Sequence, residues 1–236
     1  MYDTKIQSID INSSIYPVKL KNILQKHAPK CLYCLGNLDL FNSVGIGFCG
    51  SRHASNKGIS VAKDCVEQLV EKNYSIVSGN ASGIDFTTHF TALKNSGNTI
   101  LVLPEGINNF KIKKDLETIW NWERALVISE FHPDAIWRSY QAMQRNSTII
   151  ALSQAMIVIE AREKGGTLEA GKTALRLGCT TYVVEYSDID NLAPGNKILL
   201  NKGAIALKKS SYTQRANISR IFDDYVKKNE QLGFNF

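Results

Sequence analysis

Three features that would assign this chain to a class at once are missing from its sequence. No apolar run approaches the roughly 18 residues that a membrane-spanning helix needs, and no charged-then-apolar segment typical of a secretion signal opens the chain. The five cysteines are odd in number, which argues against a framework of disulfides. These absences favour a soluble, cytoplasmic protein that makes no membrane contact.

Patterns for metal or dinucleotide binding are also weak. Cys31 and Cys34 have C-x-x-C spacing, but no second cysteine pair or nearby histidine pair completes a zinc site. They are better interpreted as two small apolar residues in a partly buried segment. Gly45, Gly47 and Gly50 spell G-x-G-x-x-G, yet they lie within and at the end of a predicted strand, not in a loop before a helix. We therefore expect no cofactor and no metal.

The composition describes a folded protein with a moderate basic excess. The 236 residues are 44% hydrophobic, which is enough for one large α/β domain or two small ones with a substantial core. The formal net charge is +6. Such a charge favours polyanionic partners, although many basic proteins bind no nucleic acid.

From residue 44 onward, short apolar strands alternate with amphipathic helices. The predicted strands are 44–49, 75–79, 99–103, 125–129, 155–161, 181–185 and 204–207. The predicted helices are 54–73 with Ser55 as N-cap, 83–97, a stretch around 112–122, 139–153, 167–178 and a short one from Pro194. This alternation is typical of parallel βαβ units with right-handed crossovers. It predicts an α/β fold with a doubly wound, mostly parallel sheet and helices on both faces.

Three segments are predicted along the chain. Residues 1–43 are a lead-in that packs on the core and contains a short helical pattern. Residues 44–207 are the α/β domain itself. Residues 208–236 are polar and basic, and we expect a helical tail there.

Glycines follow several of the predicted strands. In doubly wound sheets, ligands bind outside the carboxyl ends of the strands, where helix N-termini offer unpaired amides to anions. A glycine there has no Cβ to keep a phosphate away. The phosphate could belong to a nucleotide that is cut, a nucleotide that is sensed, or a nucleic-acid strand. The candidates in these loops are Gly50, Ser51, Arg52, Gly79, Gly83, Gly165, Gly166 and Thr167.

Two arginines are the candidate phosphate cations. Arg52 directly follows Gly50 and Ser51, and a guanidinium can hold a phosphate by two parallel hydrogen bonds. Its alternative partner is a carboxylate such as Glu130. On the helix before the fifth of these strands, Arg145 and Asn146 could hold a phosphate and a sugar or base edge, or Arg145 could be an ordinary surface arginine.

One helical turn separates Asp85 from His89, which is the spacing of an acid–base couple or of half a metal site. A structural role for both residues is favoured over catalysis or metal binding. Asp85 would cap free amides near the helix start, and His89 would pack beneath the loop.

A run of motifs resembles the DNA-processing protein A family (DprA, also called Smf). They include "GNLDLF", "GSRHAS", "SGNASGID", "SEF", "RN..IIALS" and "PGN..LL..GAIAL", in family order over roughly residues 14–207. The resemblance implies an extended Rossmann-like domain that binds single-stranded DNA, forms a homodimer and hands the strand to a RecA-type recombinase. It also implies a basic, glycine-lined phosphate pocket formed by Gly50, Ser51, Arg52, Arg145, Asn146, Gly166 and Thr167.

Two departures from the family pattern leave other functions open. The family commonly has R-N-R where this chain has Arg145-Asn146-Ser147, and Gly165-Gly166-Thr167 leans toward the wider SLOG superfamily. We expect single-stranded DNA binding in DNA processing, recombination or transformation, without enzymatic activity. The alternatives are a SLOG-type binder or sensor of a nucleotide-derived small molecule and a nucleoside monophosphate phosphoribohydrolase. The hydrolase is disfavoured because Glu169 follows Thr167 by two residues, not three.

Overall fold

A single mixed sheet runs through the computed structural model, which describes residues 5–223. Its nine strands are β1 Gln7–Asp10, β2 Cys31–Gly36, β3 Gly45–Cys49, β4 Ser75–Gly79, β5 Thr99–Val102, β6 Ala125–Ser129, β7 Ser153–Val158, β8 Thr180–Val184 and β9 Ile205–Leu207. The helices are α1 Val18–Leu24, α2 Asn56–Glu71, α3 Ile84–Lys94, α4 Lys114–Glu117, α5 Ser139–Leu152, α6 Gly166–Arg176, α7 Ile189–Leu192 and α8 Pro194–Asn201.

The spatial order of the strands is β1-β2-β6-β5-β4-β3-β7-β8-β9. In this order every neighbouring pair from β6 to β9 is parallel. Only the pairs β1–β2 and β2–β6 are antiparallel. The chain winds from β3 out to β6 and then returns to place β7 on the other side of β3. The predicted α/β, doubly wound, mostly parallel sheet is confirmed, and its switch point lies between β3 and β7.

Alternating side chains along the strands form a core on each face of the sheet. Val77 and Ile100 point to the face covered by α1 and α5, whereas Ile46 and Ile76 point to the face covered by α2 and α3. The predicted N-cap of α2 is confirmed, since the Ser55 Oγ accepts a hydrogen bond from the Gly58 amide. None of the described helices is long and apolar enough to cross a membrane.

The first 43 residues contribute more to the sheet than their sequence indicates. Besides the predicted helix, which is α1, they supply β1 and β2, and β2 pairs antiparallel with β6. The C-x-x-C segment lies in β2, where Cys34 is buried in the core and the Cys31 Sγ is 3.0 Å from the Ser8 Oγ. The hydrogen-bonded sheet therefore continues across the predicted division at residue 43.

The predicted helix around 112–122 is wrong except for the single turn of α4. Trp120 and Trp122 pack edge to face with ring centroids 5.1 Å apart, and both contact Phe110. Residues two apart in an α-helix do not share a face. Gathering these rings in one cluster therefore requires non-helical backbone.

Residues 208–223, the described part of the predicted tail, bind to α2. An isolated bridge joins Lys209 to Ala216, and the Arg215 guanidinium forms an ion pair with Asp64. Ile218 and Ile221 are buried against the core. Residues 224–236, where the rest of the predicted helical tail falls, lie outside the described residues.

Candidate nucleic-acid interface

A cavity of about 480 Å³ lies at the switch point, outside the carboxyl ends of β3 and β7. Neighbouring crossovers leave in opposite directions here, which opens a crevice between the loops. The structure brings most of the predicted phosphate-binding residues to its walls. They are Gly50, Ser51, Arg52, Arg145, Asn146, Gly165, Gly166 and Thr167.

The N-terminus of α6 is open toward this cavity. Gly165, with φ at +125°, is its N-cap, and no side chain of the described residues caps the helix. A Cβ built on Gly165 would meet nothing within 4 Å. The Thr167 Oγ1 donates to the Gly50 carbonyl at 3.0 Å and so fixes this turn to the loop after β3. Free amides and the helix dipole suit this turn to an anion.

The N-terminus of α2, by contrast, is already occupied by a carboxylate of the protein. Glu160, two residues after β7, accepts from the Ser55 amide at 2.9 Å and from the Ser55 hydroxyl. Glu160 is buried and fills the space beside Gly58. The anion-binding end of the cavity is therefore at α6.

Arg52 lies exposed at the mouth of the cavity. Its backbone is held, because the Ser82 Oγ donates to the Arg52 carbonyl at 3.4 Å and the Ile84 amide donates to the Ser51 carbonyl at 3.2 Å. Within residues 5–223, the Arg52 guanidinium forms no ion pair. The alternative partner Glu130 instead accepts a hydrogen bond from Thr148 at 2.9 Å.

Arg145 is buried at the floor of the cavity. Its side chain is 9% exposed, its Nη2 lies 3.6 Å from the Asp85 carboxylate, and its Nη1 donates to Asn146 at 2.9 Å. Burial lowers the pKa of Arg145, and the Asp85 carboxylate opposes that shift. Arg145 is therefore not an ordinary surface arginine but a buried cation with a structural partner.

Two predicted phosphate-binding glycines do not line the cavity and make room for protein atoms instead. A Cβ on Gly79 would collide with the Arg145 guanidinium. Gly83, with φ at +70°, is the N-cap of α3, and a Cβ there would collide with the Ser51 and Arg52 backbone.

Asp85 and His89 do not form an acid–base couple. Asp85 accepts from the Ser78 hydroxyl at 3.0 Å and from the Ala81 amide at 3.2 Å. The His89 Nε2 lies 2.7 Å from the Gly79 carbonyl, which can only accept, so this nitrogen carries the hydrogen. Burial lowers the pKa of His89 to about 4, which leaves the ring neutral at pH 7. Both side chains support the loop after β4.

Sequence reasoning missed an apolar rim formed by the segment that leads into α5 and by the first turns of α5. Ile136, Trp137, Tyr140 and Met143 are between 41% and 64% exposed, and Trp137 and Met143 line the cavity. The available signal was the stretch "IWRSY", in which three large apolar or aromatic residues surround one basic residue. The chain also places exposed Arg162 and Lys164 on the cavity wall.

Exposed cations, an open helix N-terminus and an apolar rim thus meet at the switch point of this sheet. No cluster of three or more His, Cys, Asp or Glu side chains within residues 5–223 is placed to hold a metal ion. The fold and the cavity together define a Rossmann-like α/β protein with a site suited to a phosphate-bearing ligand.

A family model described as DNA recombination-mediator protein A matches residues 7–216. The chain belongs to this family, and the family resemblance inferred from the motifs is confirmed.

Individual relatives agree with this assignment. The DNA processing protein DprA of Streptococcus pneumoniae is 33% identical over 202 residues, which are 85% of this chain and 70% of the relative. Its X-ray structure aligns with a TM-score of 0.77 at 31% identity, covering 86% and 71% of the two chains. DprA of Bacillus subtilis is 31% identical over 86% of this chain and 68% of its own length.

A second solved structure shares the fold along nearly its whole length. It is DNA processing protein A from Helicobacter pylori, described for its single-stranded DNA binding mode. The TM-score is 0.75 at 23% identity, and the alignment covers 97% of this chain and 99% of the other.

Proposed function

We propose that this protein binds single-stranded DNA at the switch-point cavity and acts in DNA processing or recombination. The observation that carries the proposal is that an anion site and exposed apolar side chains, one of them aromatic, line the same cavity. Arg52 and the α6 N-terminus supply the anion site, Trp137 lines the cavity beside them, and Tyr140 is exposed three residues further along the same segment. A groove that combines cations with exposed rings is typical of proteins that hold single strands without reading their sequence.

In this proposal each group of the cavity has a role. A phosphate is held by the Arg52 guanidinium and the free amides at Gly166 and Thr167. The bases next to that phosphate stack on Trp137 and Tyr140, which are 48% and 64% exposed. Arg162 and Lys164 attract the strand from the other wall. The similarity to the DNA processing protein of Streptococcus pneumoniae and to DNA processing protein A of Helicobacter pylori, which binds single-stranded DNA, supports this proposal.

We propose binding without hydrolysis. The Glu169 carboxylate pairs with Lys172 at 2.7 Å and is exposed, so it is poorly placed to polarise a bound nucleotide. Asp85 is already engaged with Arg145, and His89 is buried and neutral. Incubation with nucleoside monophosphates should release no free base. Release that is lost in Glu169→Gln would instead support the phosphoribohydrolase.

The decisive experiment measures fluorescence anisotropy with labelled oligo-dT of increasing length, in competition with mononucleotides. If the anion site and the rim act together, affinity rises with length until the strand spans both, and mononucleotides compete only weakly. A mononucleotide that competes fully at low concentration would favour the SLOG-type small-molecule binder, for which the cavity is large enough. An Arg176→Ala variant, changed at the far end of α6, is the matched control.

The family resemblance also supports a cytoplasmic homodimer that delivers the strand to a RecA-type recombinase. Two cavities along one strand would raise the effective concentration for the second contact. Light scattering at micromolar concentration should therefore detect a dimer, and a species near 26.3 kDa alone would contradict it. We propose that residues 44–207 form the domain that carries the DNA-binding cavity, with residues 1–43 as a lead-in packed on its core and residues 208–236 as a basic tail.

A further inference from the structure

The residues that α3 presents to solvent are the reverse of those that an amphipathic helix normally presents. Eight of its eleven residues are buried, among them Thr88 and Thr91. The three that remain accessible are Phe86, Phe90 and Lys94, whose spacing of four residues places them on one stripe of the helix. Helices of globular proteins normally turn apolar residues inward and polar residues outward. Two phenylalanines on the outer stripe therefore call for a physical reason.

The core does not need these two rings. The buried threonines of α3 are satisfied within the helix, because the Thr88 hydroxyl donates to the Asp85 carbonyl at 2.8 Å and the Thr91 hydroxyl donates to the Thr87 carbonyl at 2.7 Å. Phenyl rings that stay partly in water keep apolar area that a binding partner can still cover.

Phe86 and Phe90 form one aromatic surface with a cation beside each ring. Their ring centroids are 5.9 Å apart. The Lys113 ammonium lies 5.6 Å from the centre of the Phe86 ring, and the Lys94 ammonium lies 5.9 Å from the centre of the Phe90 ring. We call these four residues the α3 surface. Rings with adjacent cations are the groups on which single-stranded nucleic acids stack.

The α3 surface adjoins the switch-point cavity. The Lys113 ammonium donates to the Asn80 carbonyl at 2.9 Å and to the Ala81 carbonyl at 3.0 Å. Ala81 is part of the cavity wall. Lys113 therefore connects the Phe86 ring to the wall of the cavity, and a strand that leaves the cavity on this side meets the rings next.

The charges around the α3 surface favour a polyanion. Burial lowers the pKa of Lys113, and the Asp85 and Glu105 carboxylates oppose that shift. Arg145 acts on both of these carboxylates, so the two acids and the two bases balance. Lys94 is exposed and forms no ion pair within residues 5–223, and it gives the surface its net positive charge.

We infer that the α3 surface binds the DNA strand after it leaves the cavity, with bases stacked on Phe86 and Phe90 and a phosphate held by Lys94. The inference rests on the proposed single-stranded DNA binding and adds a second contact to it. Because every base has a π face, this contact tolerates any sequence. It lengthens the stretch of strand that one protein molecule covers.

The test compares two labelled oligo-dT probes by fluorescence anisotropy. The short probe is the shortest oligo-dT whose binding depends on Arg52, and the long probe extends beyond it. The double variant Phe86→Leu/Phe90→Leu keeps apolar side chains on α3 but removes both rings. It should bind the short probe like the parent and the long probe roughly fivefold or more weakly, which is the lower end of the effect of unstacking one base.

Two further variants separate the ring effect from general changes. Tyr212→Leu removes a ring that is 93% exposed on the segment after β9, and it should bind both probes like the parent. Lys94→Gln should weaken only the long probe and make its salt slope shallower by about 0.7.

Ultraviolet crosslinking of the parent provides a measurement that needs no variant, so it holds even if the leucine substitutions lower the melting temperature. After irradiation with the long probe, mass spectrometry should find crosslinked peptides at Phe86 or Phe90. The short probe should give none there.

A leucine variant that melts and binds the long probe like the parent, or a long probe that never crosslinks to α3, would overturn the inference and leave the cavity as the DNA site. Equal weakening of both probes would place the effect inside the cavity and would also overturn it. Failure of the parent to bind either probe would instead overturn the proposed function.

Discussion

The Asp85 carboxylate lies 3.6 Å from the Arg145 guanidinium, and both side chains are 9% exposed. The pair joins α3 to α5 beneath the cavity, at the end of the β4 strand where Gly79 leaves space for the guanidinium. Arg145 therefore sets the charge of the cavity floor while it also neutralises a buried acid. A substitution at either residue should therefore affect the stability of the protein first.

Arg145→Ala should lower the free energy of unfolding by about 3 kcal/mol, because it leaves Asp85 buried without its counter-charge. Asp85→Ala should have a comparable effect. The double variant should cost clearly less than the sum of the two, as expected for groups in contact. Urea denaturation measures all three free energies. Additive losses would mean that the pair is not coupled.

Arg52→Ala should leave the melting temperature unchanged, because its exposed guanidinium has no ion pair within residues 5–223. Its affinity for oligo-dT should fall about tenfold to a hundredfold, which corresponds to the roughly 1.5–3 kcal/mol of a charge-assisted contact. Arg52→Glu should bind still more weakly, since it repels the strand.

Arg52→Lys separates charge from geometry in the same assay. An ammonium keeps the charge but loses the planar fork, so binding should be restored only in part. Arg176→Ala removes the same charge at the far end of α6 and should bind like the parent. An Arg52→Ala variant that melts and binds like the parent would contradict this anion site.

Binding should weaken steeply with salt. Each phosphate neutralised on a single strand adds about −0.7 to the slope of log affinity against log salt. If Arg52 contacts one phosphate, Arg52→Ala should make the slope shallower by about that amount. Anisotropy titrations at several salt concentrations measure both slopes. A flat dependence for the parent would remove the nucleic-acid interpretation altogether.

His89 should make the protein less stable in mild acid. Its pKa is lowered from 6.5 to about 4 in the folded state, so the unfolded chain binds more protons between these values. Its contribution is therefore complete above pH 6.5 and is lost as the pH falls toward 4. The loss from pH 7 to pH 5 is about 2 kcal/mol for this group alone.

The comparison that isolates this effect is a denaturation series on the parent and on His89→Gln at pH 7, 6 and 5. Buried carboxylates such as Glu130, whose pKa is raised mainly by burial, act in the opposite direction in both proteins. The difference between the two series gives the contribution of His89 to the pH dependence of stability. An identical dependence on pH in both would show that His89 is not the group that titrates.

The sequence by itself determined the strands from β3 onward and the loops that form the cavity. Alternating apolar segments specify parallel βαβ units locally, and glycines at strand ends mark where a phosphate can approach. For this reason the sequence alone identified Arg52 and the Gly165–Thr167 turn as candidates for the cavity wall. Their positions follow from the carboxyl ends of parallel strands, which lie on one edge of the sheet.

Only the tertiary structure decided which of these residues are free to bind. Strand order brings β3 beside β7, although more than a hundred residues separate them, and it buries Arg145 against Asp85. Pairing of β2 with β6 and exposure of Trp137 depend in the same way on distant partners. Side-chain burial and long-range strand pairing depend on contacts between segments that are far apart in the chain. A local pattern of residues therefore does not predict them.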